Sequence, residues 1–257
     1  MKYYCIADPH GFYDEMIFAL KEKGFFEEKS PYKLIICGDI LDRGKKPKEI
    51  CDFLERLILE DKLILIRGNH EDLIEEFIDN IEFWVEYGLD KTHHIINGTV
   101  KTVLDLTGDS YDMLCLYPER TAKKMENGKL FKKILPHSVD YFETENHIFI
   151  HGWIPCCEKA DLKKPQNFAY RESWRKSNKK DWEVARWVNG MIANAYGIKE
   201  SGKTIVCGHY RASYGHEHYG AKLNKENQSF PFYADGIIAL DAQTCVSGRV
   251  NCIVIED

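Results

Sequence analysis

The sequence has no apolar run approaching the ~20 residues that a membrane-spanning helix needs, so no membrane partner is expected. It has no basic excess either: 35 Lys and Arg stand against 41 Asp and Glu, a formal net charge of −6. That balance argues against nucleic acid as a partner, because such binding rests on basic contacts to phosphates. A disulfide framework is also missing. The nine cysteines are odd in number, and only Cys156 and Cys157 are close in sequence, so reduced thiols in a cytoplasmic protein are expected. Met1 to Asp8 meets a charge too early for the apolar stretch of a secretory leader. No low-complexity tract, linker or internal repeat divides the chain, and a single domain over residues 1–257 is expected.

What is present begins with a rhythm repeated three times. The apolar run Tyr3–Ala7 precedes a helical pattern from about Phe12 to Lys23. Leu34-Ile35-Ile36-Cys37 precedes a helix carrying Ile50, Phe53, Leu54, Leu57 and Ile58 at i, i+3, i+4, i+7 and i+8. Leu63-Ile64-Leu65-Ile66 leads into a helix beginning near His70. This layout predicts a parallel βαβαβ unit. Residues 72 to 135 read as mostly helical. Strand patterns return at Val139–Phe142, His147–Ile150, Thr204–Cys207, Ile237–Leu240 and Val246–Ile255, with a bend or bulge at Ser247-Gly248. One helix is predicted over Asp181–Tyr196.

Each of the first three strands ends in metal-capable residues: Asp8-Pro9-His10-Gly11, then Gly38-Asp39-Ile40-Leu41-Asp42-Arg43-Gly44, then Arg67-Gly68-Asn69-His70-Glu71. Two later strands end in His151-Gly152 and Gly208-His209. Ligands of open α/β sheets bind outside the carboxyl ends of the strands, so these segments can converge. Asp8, His10, Asp39, Asn69, His151 and His209 form an oxygen and nitrogen donor set. It suits two divalent transition-metal ions, manganese first, with iron, zinc or nickel as alternatives. Asp39, on the central segment, is the expected bridge. Two such ions leave residual positive charge that favours a phosphoryl substrate.

Gly38-Asp39-x-x-Asp42-Arg43-Gly44 followed by Gly68-Asn69-His70-Glu71 resembles the signature of the Ser/Thr phosphoprotein phosphatases, within the calcineurin-like metallophosphoesterase superfamily. Asp8-x-His10-Gly11, His151-Gly152 and Gly208-His209 resemble its remaining metal motifs, in order, over residues 5 to about 210. The resemblance implies an α/β fold of two mixed β-sheets packed as a sandwich and flanked by helices. It implies a phosphomonoesterase acting on a phosphorylated protein or a small phosphoester, by direct attack of a metal-bridging hydroxide on phosphorus. Asp8, His10 and Asp39 would hold one metal, and Asp39, Asn69, His151 and His209 the other. His70 would be the general acid, oriented by Asp42, and Arg43 and Asn69 would contact phosphate. The family's second phosphate-binding arginine would be Arg171 or, preferentially, Arg175. Glu71 reads equally as a functional residue or as an acid favoured by its helix N-terminus. Departures from the pattern are Ala7, Pro9, Trp153 and Tyr210.

Hydrolysis of dinucleoside polyphosphates such as diadenosine tetraphosphate is the alternative on the same machinery. A non-catalytic interaction scaffold is the third reading, disfavoured because every ligand position is filled. Substrate choice would reside in residues 159–180 and in the loop from Tyr214 to Phe232. The first of these is locally basic, with Lys159, Lys163, Lys164, Arg171, Arg175, Lys176, Lys179 and Lys180 against Asp161 and Glu172. His93-His94 and His216-x-His218 read as surface histidines, and Trp174, Trp182 and Trp187 as core packing rather than a base-stacking platform. Cys37 and Cys207 read as buried small hydrophobes.

Overall fold

The computed structural model describes residues 1–220 and 228–257; residues 221–227, within the second expected substrate loop, lie outside the described residues. β1 (Lys2–Ile6), β2 (Tyr32–Cys37) and β3 (Leu63–Ile66) are parallel and joined through α1 (Tyr13–Glu22) and α2 (Pro47–Leu59), the predicted βαβαβ unit. β4 (Ser138–Val139) extends this sheet in parallel, and β10 (Cys252–Glu256) closes its other edge antiparallel to β1. The second sheet has the order β5-β6-β7-β9-β8, from β5 (Phe142–Glu143), β6 (His147–Phe149), β7 (Thr204–Cys207), β8 (Phe232–Ala234) and β9 (Ile237–Ala239). Its three central strands are parallel and both edges antiparallel.

Period-two alternation sorts the apolar side chains into layers. Tyr3, Cys5, Ile35, Cys37 and Ile66 meet Phe149, Val206 and Leu240 between the sheets. Their neighbours Tyr4, Ile6, Leu34, Ile36 and Leu65 point outward under Met16, Leu20, Ile50 and Leu54 of α1 and α2. Beyond the second sheet, Ile148, Ile205, Cys207 and Ile237 pack against Trp153, Trp174 and Trp182. Burying each such aliphatic side chain stabilises the fold by roughly 1.5–3 kcal/mol. The architecture is therefore two mixed sheets face to face with helices outside. α3 (Asn69–Asp79) leads into a helical region containing α4 (Ile81–Tyr87), α5 (His93–Asn97) and α6 (Thr99–Thr107). Among the described residues no helix is long and apolar enough to cross a membrane.

Three predicted elements are corrected. Val139–Phe142 is not one strand: β4 ends where Val139 accepts from Arg67 N, and the chain then crosses to β5 in the other sheet. Asp181–Tyr196 is two helices, Lys179–Ala185 and Gly190–Ala195. The break is built by Asn189, whose side chain caps the N–H groups of Met191 and Ile192. Val246–Ile255 is also interrupted. Thr244–Ser247 is a helical turn ended by left-handed Gly248, and the strand starts only at Cys252.

Candidate metal centre

Sheet geometry carries the site. Asp8, Asp39, His151, His209 and Asp241 each lie two residues beyond the end of β1, β2, β6, β7 and β9, and Asn69 opens α3 just after β3. Six strand ends from two sheets thus empty into one place. Their loops are interlocked through the backbone: Asp8 N donates to Gly38 O (3.2 Å), His10 N to Asp39 O (3.0 Å) and Gly44 N to His10 O (2.7 Å). Among the described residues eight non-glycine positions have positive φ, and six of them are Asp8, His10, Asp39, Asp42, Arg43 and His209. Such conformations cost of order 1–3 kcal/mol each and concentrate at functional sites. At Gly208 a Cβ would stand 2.1 Å from Asp8 Oδ2, so only glycine lets β7 approach the first strand end this closely.

Asp39 lies at the centre. His10 Nε2 is 3.6 Å, His151 Nε2 3.3 Å and His70 Nε2 3.9 Å from its carboxylate. The groups His10–Asp39–His70 and Asp39–His151–His209 each offer ligand atoms within 4.8 Å of one another. The tautomers suit ligation. His10 Nδ1 donates to the Leu41 carbonyl (2.9 Å) and His151 Nδ1 to the Cys37 carbonyl (2.8 Å), which leaves a lone pair on each Nε2. His151 Nε2 then faces Asn69 Oδ1 at 2.8 Å, two acceptors side by side. That separation is close to the ~3 Å between neighbouring ligands on one ion with bonds of ~2.1 Å. Asp8 is turned towards the same region, its two oxygens accepting from His209 N at 3.0 Å each.

Protonation states agree with this donor set. Burial lowers His10 and His209 to about 3 and also lowers His151, so all three are neutral at neutral pH. Burial opposes the charge on Asp39, but His151, His70, His10 and His209 outweigh it and hold the carboxyl below its usual range. Burial, followed by the neighbouring charge of Asp241, raises Asp8. Burial likewise raises Asp241, to about 7. Buried carboxylates with too little positive charge beside neutral imidazoles are what a pair of divalent cations would compensate, so the residues present fit such a pair.

His70 and Arg43 overlie the same region. His70 Nδ1 donates to Asp42 Oδ2 (2.7 Å), which also accepts from Thr99 Oγ1 (3.1 Å). Burial disfavours the imidazolium, yet the Asp39 and Asp42 carboxylates raise His70 above the ordinary histidine value. The exposed Arg43 donates from Nη1 to His10 Nε2 (2.8 Å) and from Nη2 to His70 Nε2 (3.0 Å). Glu71, left open by the sequence, is a positioning residue. Its buried carboxylate accepts from Asp39 N (2.9 Å), Ile40 N (3.0 Å) and Gly68 N (2.7 Å), clamping the second strand end to the third. Burial and Asp39 raise it to about 7.

Several expectations are corrected. Arg175 is not at the site. It forms a fork on Glu143 (2.8 and 2.7 Å), reaches Glu200 (3.0 Å) and lies over Trp174. Glu143 also binds Lys203, at the amino end of β7 and so opposite the end that carries His209. Arg171 faces Asp181. Trp174 and Trp182 are core residues, but Trp187 is 42% exposed with its ring 5.7 Å from that of His209. Tyr210, 39% exposed, lies 5.2 Å from the same ring. His94 is wholly buried rather than a surface histidine. Asp241 was missed, although the apolar run Ile237–Leu240 ending in an acid repeats the pattern that marked Asp8 and Asp39.

A family model described as calcineurin-like phosphoesterase matches residues 1–238. Over 98 residues, 36% of this chain, the sequence is 31% identical to the bis(5'-nucleosyl)-tetraphosphatase PrpE [asymmetrical] of Anoxybacillus flavithermus, and 30% identical to that of Bacillus velezensis. The match spans about two fifths of those curated relatives, 40% and 39% of their length. Among solved structures, the cold-active protein-tyrosine phosphatase of a psychrophilic Shewanella superposes with a TM-score of 0.54 at 16% identity, over 100% of this chain and 75% of the other. That likeness concerns the fold.

Proposed function

The chain belongs to the calcineurin-like phosphoesterase family, and on that premise we propose that it is a hydrolase that uses two divalent cations to cleave a dinucleoside tetraphosphate. The observation that carries the hydrolase reading is the convergence of His10, His151 and His209 on Asp39, with Asn69 Oδ1 beside His151 Nε2, the Asp8 carboxylate on His209 N, and the His10 and His151 rings fixed by backbone carbonyls. Asp8, His10 and Asp39 would hold one cation, and Asp39, Asn69, His151 and His209 the other. When bound, such ions supply Lewis-acid stabilisation of phosphoryl charge and acidify the attacking water. Manganese remains the first candidate for both positions.

The protein's own groups do the rest. The Arg43 fork, which reaches over both His10 and His70, binds phosphoryl oxygens and orients phosphorus between them. Asn69 adds an amide contact to phosphate. Once Arg43 turns to phosphate and frees His70 Nε2, His70, steadied through Nδ1 by Asp42, carries a proton there and delivers it to the departing oxygen. The free cysteines support a reducing, cytoplasmic setting.

Two observations favour the dinucleotide over the phosphorylated protein that the motifs alone put first. The curated relatives carry the tetraphosphatase name. Trp187 and Tyr210 present half-exposed rings against His209, where a nucleobase attached to the reacting phosphates can stack. Stacking of this kind contributes ~1–3 kcal/mol per base. Trp187→Leu and Tyr210→Leu are therefore expected to raise KM for diadenosine tetraphosphate about tenfold, the equivalent of ~1.4 kcal/mol. Turnover of p-nitrophenyl phosphate should change less than twofold. A phosphoserine peptide hydrolysed faster than diadenosine tetraphosphate would reverse the assignment in favour of a Ser/Thr phosphoprotein phosphatase.

A further inference from the structure

We propose that Glu76, His93 and His94 form another cation site, apart from the candidate metal centre, that takes a borderline divalent ion such as zinc. Glu76 projects from α3 and the two histidines open α5. Glu76 Oε2 lies 3.6 Å from His93 Nε2 and 3.9 Å from His94 Nε2, and all three ligand atoms fall within 4.8 Å of one another. The independent observation is His94 itself. Its side chain is 0% exposed, yet neither ring nitrogen has a hydrogen-bond partner. Leaving a buried polar atom unpaired costs ~1–3 kcal/mol, so both nitrogens call for a partner. An ion at Nε2 provides one.

The surroundings suit an ion that enters from solvent. Glu76 and His93 are 45% and 46% exposed and can rotate to shorten the spacing towards the ~3.3 Å between ligands of a tetrahedral site with bonds of ~2.0–2.1 Å. His94 is fixed beneath them between the rings of Phe77 and Trp84, each 4.9 Å away. Two imidazoles and a carboxylate are a zinc-type donor set that leaves one position for water.

The placement gives the ion a structural consequence. Glu76 is six residues beyond His70 on the same helix, about 9 Å along its axis. From His94 the chain runs through Gly98, where a Cβ would stand 2.6 Å from Arg43 N, into α6. There Thr99 donates to Asp42 Oδ2 and Thr102 accepts from Asp42 N (3.1 Å each). An ion joining Glu76 to His93 and His94 ties together the two segments that hold His70 and Asp42.

The test uses the untagged full chain dialysed against zinc, with bound metal measured by elemental analysis. Wild type should retain one zinc per chain more than Glu76→Gln or His93→Ala, both changed at half-exposed positions. Asp39→Asn, which alters only the candidate metal centre, should hold one zinc more than Asp39→Asn combined with Glu76→Gln. Cobalt should quench tryptophan fluorescence more in wild type than in Trp84→Phe. Equal zinc content in wild type, Glu76→Gln and His93→Ala would overturn the proposal, as would equal zinc content in Asp39→Asn with and without Glu76→Gln. Neither result bears on the dinucleotide substrate, which the nucleotide assays test separately.

Discussion

Replacing His70 by asparagine separates two roles that its position allows. Its Nε2 lies 3.9 Å from Asp39 Oδ2, near enough to belong to a ligand-capable group with His10 and Asp39. Its Nδ1 is committed to Asp42 at 2.7 Å, the arrangement of an imidazole held to deliver a proton from the other nitrogen. As a proton donor, His70 contributes ~10²–10⁴-fold, or about 2.7–5.5 kcal/mol of barrier. That contribution is largest when the departing oxygen is basic and shrinks as the leaving group becomes acidic. The assay is kcat for a series of aryl phosphates of graded leaving-group acidity, at saturating manganese, for wild type and His70→Asn. The variant should fall furthest on the least acidic phenols and keep its full cation content. An equal loss across the series, accompanied by loss of a cation, would refute the proton-donor role and make His70 a ligand.

Asp42→Asn should move the alkaline limb of kcat/KM to lower pH. The Asp39 and Asp42 carboxylates raise His70 above 6.5 against the effect of burial, so its acid form persists above that pH and is lost as pH rises through the raised value. An unchanged pH profile would exclude the coupling. Gly208→Ala forces a methyl 2.1 Å from Asp8 Oδ2 and 2.8 Å from the Ala7 Cβ. Thermal melting should show a loss of ~1–3 kcal/mol, and cation binding should weaken. Arg175→Ala should leave kcat and KM within twofold while lowering stability by at most about 1 kcal/mol, because its partner Glu143 binds Lys203 at the end of the second sheet opposite His209 and the cluster is partly exposed.

The parts of this architecture legible from sequence are those written locally. Each of the first three strands is a short apolar run followed within two or three residues by its polar segment, so Asp8, Asp39 and Asn69 follow from strand position alone. The sheet switch between Val139 and Phe142 left no such mark, since Val139, Tyr141 and Phe142 read as one strand-like stretch with no glycine or proline while the chain changes partner sheet. The break at Asn189 did leave one. An Asn-Gly pair inside an otherwise helical pattern is a capping signal that the apolar periodicity overrode.

The site's supporting contacts span long stretches of sequence and could not be read from it. Glu71 binds the backbone of Asp39 and Ile40 across about thirty residues, and His151 reaches the Cys37 carbonyl across 114. Arg175 illustrates the opposite error. The family resemblance called for a second phosphate-binding arginine between the late histidines, whereas Glu143 and Glu200, distant in sequence, take up the Arg175 guanidinium. His94 lies in a polar stretch, and only the packing of Phe77 and Trp84 over it makes it a buried side chain.

Anomalous diffraction at the manganese edge from crystals of the manganese-loaded protein tests the dinuclear arrangement most directly. Two peaks should flank the Asp39 carboxylate, one among Asp8 and His10 and the other among Asn69, His151 and His209, and Asp39→Asn should lose at least one of them. A single peak remote from Asp39, or an Asp39→Asn protein that keeps both peaks, would contradict the account.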